Sequence, residues 1–405
     1  MVNQKMNKKF YLALSVFAMS LLVGGSMLLL GAPIISDNPK TGADSKNFDP
    51  NGSLRTAGNF DDDPIEINGN WNFSDYSDEG TGDAGEPYII EDLRINPTTN
   101  GTPGILIKDT DAHFKIENVT VIGAIPDDYS GDVGGFYLEN VTNGGLVNCN
   151  ATENHIGFWL KNSTNNTLSN NFAEGNTVGF RLSDSSNDNN LSSNIADNNN
   201  YGTTEGAGFT IENSHENALN NNTATKNDVG GITLTNSQNN TLINNTANNN
   251  GYGFLLTESD DNDLVNNTAN KNNDGSSAGF HLTGENNNLT NNIANENEGH
   301  GIYLTDANQT IIKDNTANEN KKYGISLKLS SYNTITENTF KYNEDGCTEE
   351  GYRCEGNIFD NNICEDPEDP GDSEDDAIPG YPIMIIIGIT TIVFSFLLAR
   401  QKEMA

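Results

Sequence analysis

The side chains able to do chemistry are few and scattered. All six Met (Met1, Met6, Met19, Met27, Met384, Met404) sit in the two end segments, and the five His (His113, His155, His215, His281, His300) share no common spacing. A copper centre needs soft or imidazole ligands converging from fixed offsets, and this pattern supplies no such set. Arg181 is essentially the one arginine of the central region, with Asp184 and Asp188 in the following turn and Lys161 one repeat earlier. Base and acids so placed are the minimum for lyase chemistry on an acidic polysaccharide. Asp260-Asp261 and Gly299-His300-Gly301 offer a paired carboxylate and a histidine for glycoside hydrolysis, but no basic partner motif accompanies them. Turn aspartates ordinarily bond to their own backbone, so a non-catalytic protein is the favoured expectation, with a polysaccharide lyase or hydrolase as the alternative.

Aromatic residues are more promising. Tyr137, Trp159, Arg181, Thr210, Thr233, Leu255, His281, Tyr303 and Ser326 occupy one recurring position. Tyr137, Trp159, Arg181, His281 and Tyr303 form the candidate ligand face, because flat rings beside polar turns can stack on sugar rings along a track.

The elements that would position this face are repeats. A glycine followed by apolar–any–apolar recurs at Gly135, Gly157, Gly179, Gly208, Gly231, Gly253, Gly279, Gly301 and Gly324, with an irregular copy at Gly104. The spacing is 22 or 23 residues except for two longer steps, where Thr203–Gly206 and Gly275–Ser277 read as loop insertions. A second unit, Asn–any–Ala with Asn three residues on, recurs between these, and a third short run carries a Leu or Ile at Leu168, Leu191, Leu219, Leu242, Leu264, Leu289, Ile311 and Ile335. Three short runs per period are too brief for helices. Stacked as coils they make three parallel sheets around a thin core. The fold expected is therefore all-β, a right-handed parallel β-helix of about ten coils over residues 104–364, with an N-terminal cap over 60–103. Asn171, Asn194, Asn222, Asn245, Asn267, Asn292, Asn315 and Asn338 should form an inward ladder, as should the Asn that follows each Ala. Cys149 takes the ladder position in an early coil and reads as a buried free thiol. Cys347, Cys354 and Cys364 crowd the last coil; one disulfide among them could staple that end, with the pair left open.

The chain ends place the protein. Lys5, Lys8 and Lys9 precede an apolar run from Phe10 to Leu30, so residues 1–35 read as a signal peptide or membrane anchor, followed by a linker over 36–59. An acidic linker over 365–380 leads into a transmembrane helix over 381–400, ending at Arg400 and Lys402. Positive charges there put the tail inside and the bulk of the chain outside the cell membrane. Asn-x-Ser/Thr sequons recur, for example at Asn118, Asn221, Asn244 and Asn266, and permit a glycoprotein. With 57 acidic against 21 basic residues and a net charge of −36, a nucleic-acid partner is excluded on charge. The expected partners are the membrane and an extracellular polysaccharide or glycoprotein. No cofactor is expected beyond loosely held calcium.

The stretch from Gly101 to Asn362 resembles the right-handed parallel β-helix family that includes NosD-type proteins, carbohydrate-binding proteins and sugar hydrolases. Asp83–Glu91, Gly104–Ile107 and Phe114–Asn118 are similar to the start of such domains in archaeal surface proteins, and Ile378-Pro379-Gly380-Tyr381 to their anchors. The resemblance implies the fold; it implies copper only through the NosD name, and this fold carries several unrelated activities.

Overall fold

A computed structural model describes residues 62–366, apart from 78, 98, 128–132, 200–205 and 274–277. Both apolar terminal segments, most of the two insertions and most of the acidic linker lie outside the described residues. Within those residues, no helix is long and apolar enough to cross a membrane.

The chain winds as a right-handed parallel β-solenoid, almost without helix. Two of its sheets contain twelve strands each, every strand hydrogen-bonded to the equivalent strands one coil away. The solenoid is thus longer than the ten coils expected. The difference lies at the ends. Residues Ile65–Asn68, Tyr88–Glu91 and Arg94–Ile95, in the segment that breaks the repeat, supply the first strand of each sheet. Gly346–Glu350, Ile358–Asp360 and Ile363–Glu365 supply the last. A 3-10 helix at Asn70–Asp75 lets Phe73 plug the base of the core, stacked on Tyr88 at 4.9 Å and tilted on Phe114 at 5.1 Å. The third sheet has seven strands and then continues through single bridges from Thr246 to Thr339.

The core is a set of stacked columns. Phe136, Phe158, Phe180 and Phe209 lie ring on ring at 4.6–4.7 Å, and Phe254 and Phe280 repeat the contact at 4.7 Å. Leu146 through Ile335 fill the second sheet, and Ala151 through Ala317 the third, all at 0–1% exposure. One position differs from expectation: Ile312 points inward while Ile311 is 48% exposed, because the strand's outward position falls on Ile311.

The repeated glycine has a steric cause. At Gly253 a Cβ would stand 2.4 Å from the Gly279 carbonyl oxygen and 2.6 Å from the Ala269 methyl, so the residue before Phe254 faces inward too. Two consecutive inward residues interrupt the strand's alternation. The residue before each glycine is thereby turned outward, giving the first sheet two outward columns rather than one.

Asn performs two separate jobs at the corners. The residue entering each corner adopts the left-handed conformation, as at Asn170, Asn221, Asn244 and Asn266 (φ 55–57°), where Asn is among the least strained residues. The next residue is the buried rung: Asn171, Asn222, Asn245 and Asn267 are 0–1% exposed. The Asn171 Nδ2 donates to Asn194 Oδ1 at 3.0 Å and to the Leu146 carbonyl at 2.9 Å. Its Oδ1 accepts the Cys149 backbone N–H at 2.9 Å. The expected ladder runs unbroken from this rung through Asn194, Asn222, Asn245, Asn267, Asn292, Asn315 and Asn338 to Asn362. A second ladder follows the Ala positions from Asn154 to Asn343. A third, not anticipated, rises through Asn166, Asn189, Asn217, Asn240, Asn262 and Asn287. Its signal was the Ser-x-x-Asn that recurs after five successive glycine-led strands, which also builds a serine column at Ser163, Ser186, Ser214, Ser237 and Ser259.

Candidate functional site: the outward face of the first sheet

The two outward columns lie side by side on the glycine-led sheet, and their chemistry changes along the axis. Towards the N-terminal end Tyr137 and Trp159 stack at 4.5 Å with ring planes 10° apart. The Arg181 guanidinium lies 5.4 Å from the Trp159 ring, and Arg181 Nη2 bonds Glu212 Oε2 at 2.8 Å. These aromatics are not displayed. Tyr137 is 5% and Trp159 3% exposed, clustered with Ile156, Val178 and Leu106, and Trp159 Nε1 donates to Ser183 Oγ at 3.0 Å. The expectation that they offer open rings to a sugar is corrected: Ile156 and Val178, the residues before the glycines, share the outer face and bury them.

The lyase arrangement also dissolves. Arg181 is engaged by Glu212, while Asp184 and Asp188 are exposed corner residues at φ 55° and 57°. Lys161 lies 3.8 Å from Glu139. Asp260 and His300 belong to opposite ends of the first-sheet strands: Asp260 follows Tyr252–Thr257, whereas His300 begins His300–Thr305. Asp260 Oδ1 accepts the Glu285 backbone N–H at 2.7 Å, a turn bond.

Towards the C-terminal end the face opens. His281 and Tyr303, paired across consecutive coils, stack at 4.8 Å. His300 meets Tyr303 at 4.9 Å and Tyr323 at 6.0 Å, and Tyr252 lies 5.8 Å from His281. Tyr252, His281, Tyr303 and Tyr323 are half-buried, and His300 is 8% exposed. Burial lowers the pKa of both imidazoles to about 4, because a charged ring would lose its hydration. The patch is therefore uncharged at neutral pH. Among the described residues, both nitrogens of His281 and Nδ1 of His300 have no hydrogen-bond partner. Of the expected face, His281 and Tyr303 are brought together, and Tyr137, Trp159 and Arg181 belong to the separate covered cluster. Tyr252, His300 and Tyr323 were missed. Their shared signal was the position immediately before the repeated glycine.

The cysteines resolve at the far end. Cys347 and Cys364 form a disulfide, and Cys354 is free and half-buried. Cys149 is a buried free thiol whose pKa is pushed up to about 12 by loss of hydration. Among the described residues the one trio of possible metal ligands is Cys347, Cys364 and Asp366, and two of its three sulfur and oxygen donors are committed to the disulfide. These residues do not fit a copper ion.

Two family models match successive parts of the solenoid: one described as periplasmic copper-binding protein (NosD) over residues 91–274, and one as right handed beta helix region over 247–373. A comparison with curated proteins gives no match. Among solved structures, the mannuronan C-5 epimerase AlgE6 A-module of Azotobacter vinelandii is similar at 16% identity and a TM-score of 0.51, over 68% of this chain and 88% of that one. A double mutant of the periplasmic alginate epimerase AlgG is similar at 16% identity and a TM-score of 0.52, over 68% and 69%. At such identity the likeness is one of fold. The coil-by-coil register and the ladders make the chain a right-handed parallel β-helix, and successive parts of it match the NosD and right-handed β-helix family models.

Proposed function

We propose that this is a non-catalytic, membrane-anchored surface protein whose first sheet binds an extracellular carbohydrate at the Tyr252–His281–His300–Tyr303–Tyr323 patch. The observation that carries the reading is the uncharged row of rings, half-buried apart from the buried His300. Flat apolar faces flanked by phenol and imidazole polar edges suit the alternating C–H and hydroxyl faces of a sugar. The residues a lyase would need are held in an ion pair or in corners, which supports binding over turnover. Structural neighbours named as epimerases of mannuronan and alginate support a polysaccharide as the class of ligand. The apolar runs at both ends and the basic Arg400 and Lys402 support anchorage with the solenoid outside. Divalent cations would be held only loosely by the acidic surface.

The test is a soluble-polysaccharide and glycan-array screen with the full chain, with and without calcium, alongside Tyr303→Ala and His281→Ala. Binding weakened roughly tenfold in both variants, with no new reducing or unsaturated chain ends, supports the reading. New chain ends would replace it with a lyase or hydrolase, and binding unchanged in both variants would move the ligand off this patch.

A further inference from the structure

We propose that Asn221, Asn244 and Asn266 carry N-linked glycans, forming a column on the corner between the second and third sheets. The proposal rests on the outside location proposed above. Each residue opens an Asn-x-Thr sequon, closed by Thr223, Thr246 and Thr268. A repeat of this composition produces such triplets for structural reasons alone, so the case rests on the exposure of these three and on their succession in consecutive coils on one corner.

In all three, the sequon Asn is the left-handed corner residue (φ 55–57°) and is exposed. The following residue, Asn222, Asn245 or Asn267, is a ladder rung at 0–1% exposure. An inward rung forces the preceding side chain outward. Among the described residues, the carboxamides of Asn221, Asn244 and Asn266 make no hydrogen bond, so Nδ2 is free to react. Asn118, Asn165 and Asn239 also open sequons as exposed left-handed corner residues but lie outside this succession of consecutive coils on one corner, whereas three further sequon carboxamides are engaged. Asn140 Nδ2 donates to Asp109 Oδ1 at 2.7 Å, Asn162 Nδ2 to Asn140 Oδ1 at 2.6 Å, and Asn288 Nδ2 to Asp263 Oδ1 at 3.2 Å.

The position of the column agrees with the proposed ligand face. On the corner between the third sheet and the next coil's first sheet, the equivalent left-handed residues include Lys226, Asn249, Lys271, Glu296 and Glu319, and none of these opens a sequon. That corner borders the column containing Tyr252, His300 and Tyr323. Attached sugars would therefore project away from the patch.

The transfer needs a glycosyl phosphate donor and a glycosyltransferase outside the membrane. The amide Nδ2 attacks the anomeric carbon and an N–C bond forms. The C–O bond to phosphate breaks, the phosphate leaves with the electron pair, and the amide gives one proton to solvent.

The test uses the whole protein from its native cells. Protease treatment of intact cells reports location, and mass spectrometry of peptides spanning the three sites reports modification. Glycosyl mass on all three is expected, with Asn244→Gln losing one glycan's mass at unchanged β circular dichroism. A protease-accessible protein bare at all three positions overturns the glycan proposal alone. A protein both inaccessible and bare overturns it together with the surface reading. Glycans on Asn140 and Asn162 with these three bare would overturn selection by the free carboxamide.

Discussion

Asn245→Ala tests whether the ladder or the corner conformation holds the coils together. The Asn245 side chain takes part in four hydrogen bonds: Nδ2 to the Leu219 carbonyl at 2.8 Å and to Asn267 Oδ1 at 3.0 Å, and Oδ1 from the Asn222 N–H at 2.9 Å and Nδ2 at 3.0 Å. Truncation orphans the Asn222 N–H at a residue with 0% exposure, and three further groups each lose one of their partners. An orphaned buried donor costs about 1–3 kcal/mol and each lost net bond about 0.5–1.5, so the loss should be about 2.5–7.5 kcal/mol. The contrast is Asn249→Gly, which keeps the left-handed corner (φ 58°) and removes only an exposed side chain; it should change stability by under about 1 kcal/mol. Urea titration followed by circular dichroism gives both values. Hydrogen exchange should locate the first opening at the coils on either side of Asn245, since solenoid coils couple to their neighbours alone. A cost below about 1 kcal/mol for Asn245→Ala, or equal costs for the two variants, would refute the ladder argument.

Gly253→Ala places a methyl 2.4 Å from a backbone oxygen and should lower the unfolding midpoint by the equivalent of about 1–3 kcal/mol or more, whereas Gly85→Ala, with nothing within 4 Å, should leave it unchanged. Cys149, buried with its pKa near 12, should resist iodoacetamide at pH 8 in the folded protein while half-buried Cys354 is labelled first; mass spectrometry of the two peptides reads the order. His281 and His300 have folded pKa values of about 4 against an ordinary 6.5, so between these values the unfolded chain binds more protons. Their contribution to stability is present above pH 6.5 and falls as pH drops towards 4. Denaturation across that window should show a slope that shrinks in His281→Phe.

Much of this architecture was legible because a solenoid repeats each decision. The Phe, Leu and Ala columns and the Asn171–Asn338 ladder follow from spacing plus alternation, and small and large inward residues recur at fixed offsets. Alternation also caused the main error. It predicts one outward column, but the glycine's inward turn creates a second, and Ile156 and Val178 in that column bury Tyr137 and Trp159. Spacing puts Ile311 in the Leu column, because two isoleucines are adjacent and composition cannot choose between them. The Cys347–Cys364 pairing was open in the sequence, since it depends on how the last coil folds back beside Phe340 and Cys364. The patch residues Tyr252, His300 and Tyr323 could have been found by aligning the position before each glycine.

The ladders give the solenoid a polarity. In the longest ladder every rung donates from one coil to the next in the same direction, from Asn171 to Asn194 and on to Asn338 and Asn362. Backbone dipoles along a sheet largely cancel, but side-chain amides aligned in this way add. The C-terminal end carries the donor side of these amides and with it a partial positive potential, much as a helix N-terminus does. Asn357 Nδ2 there already donates to Glu350 Oε1 at 2.8 Å. The chain leaves through Glu365 and Asp366 into a stretch of further carboxylates ending at Asp376. The exit segment is thus matched in sign to the end it departs from, and a basic segment in its place would meet repulsion from the aligned amides.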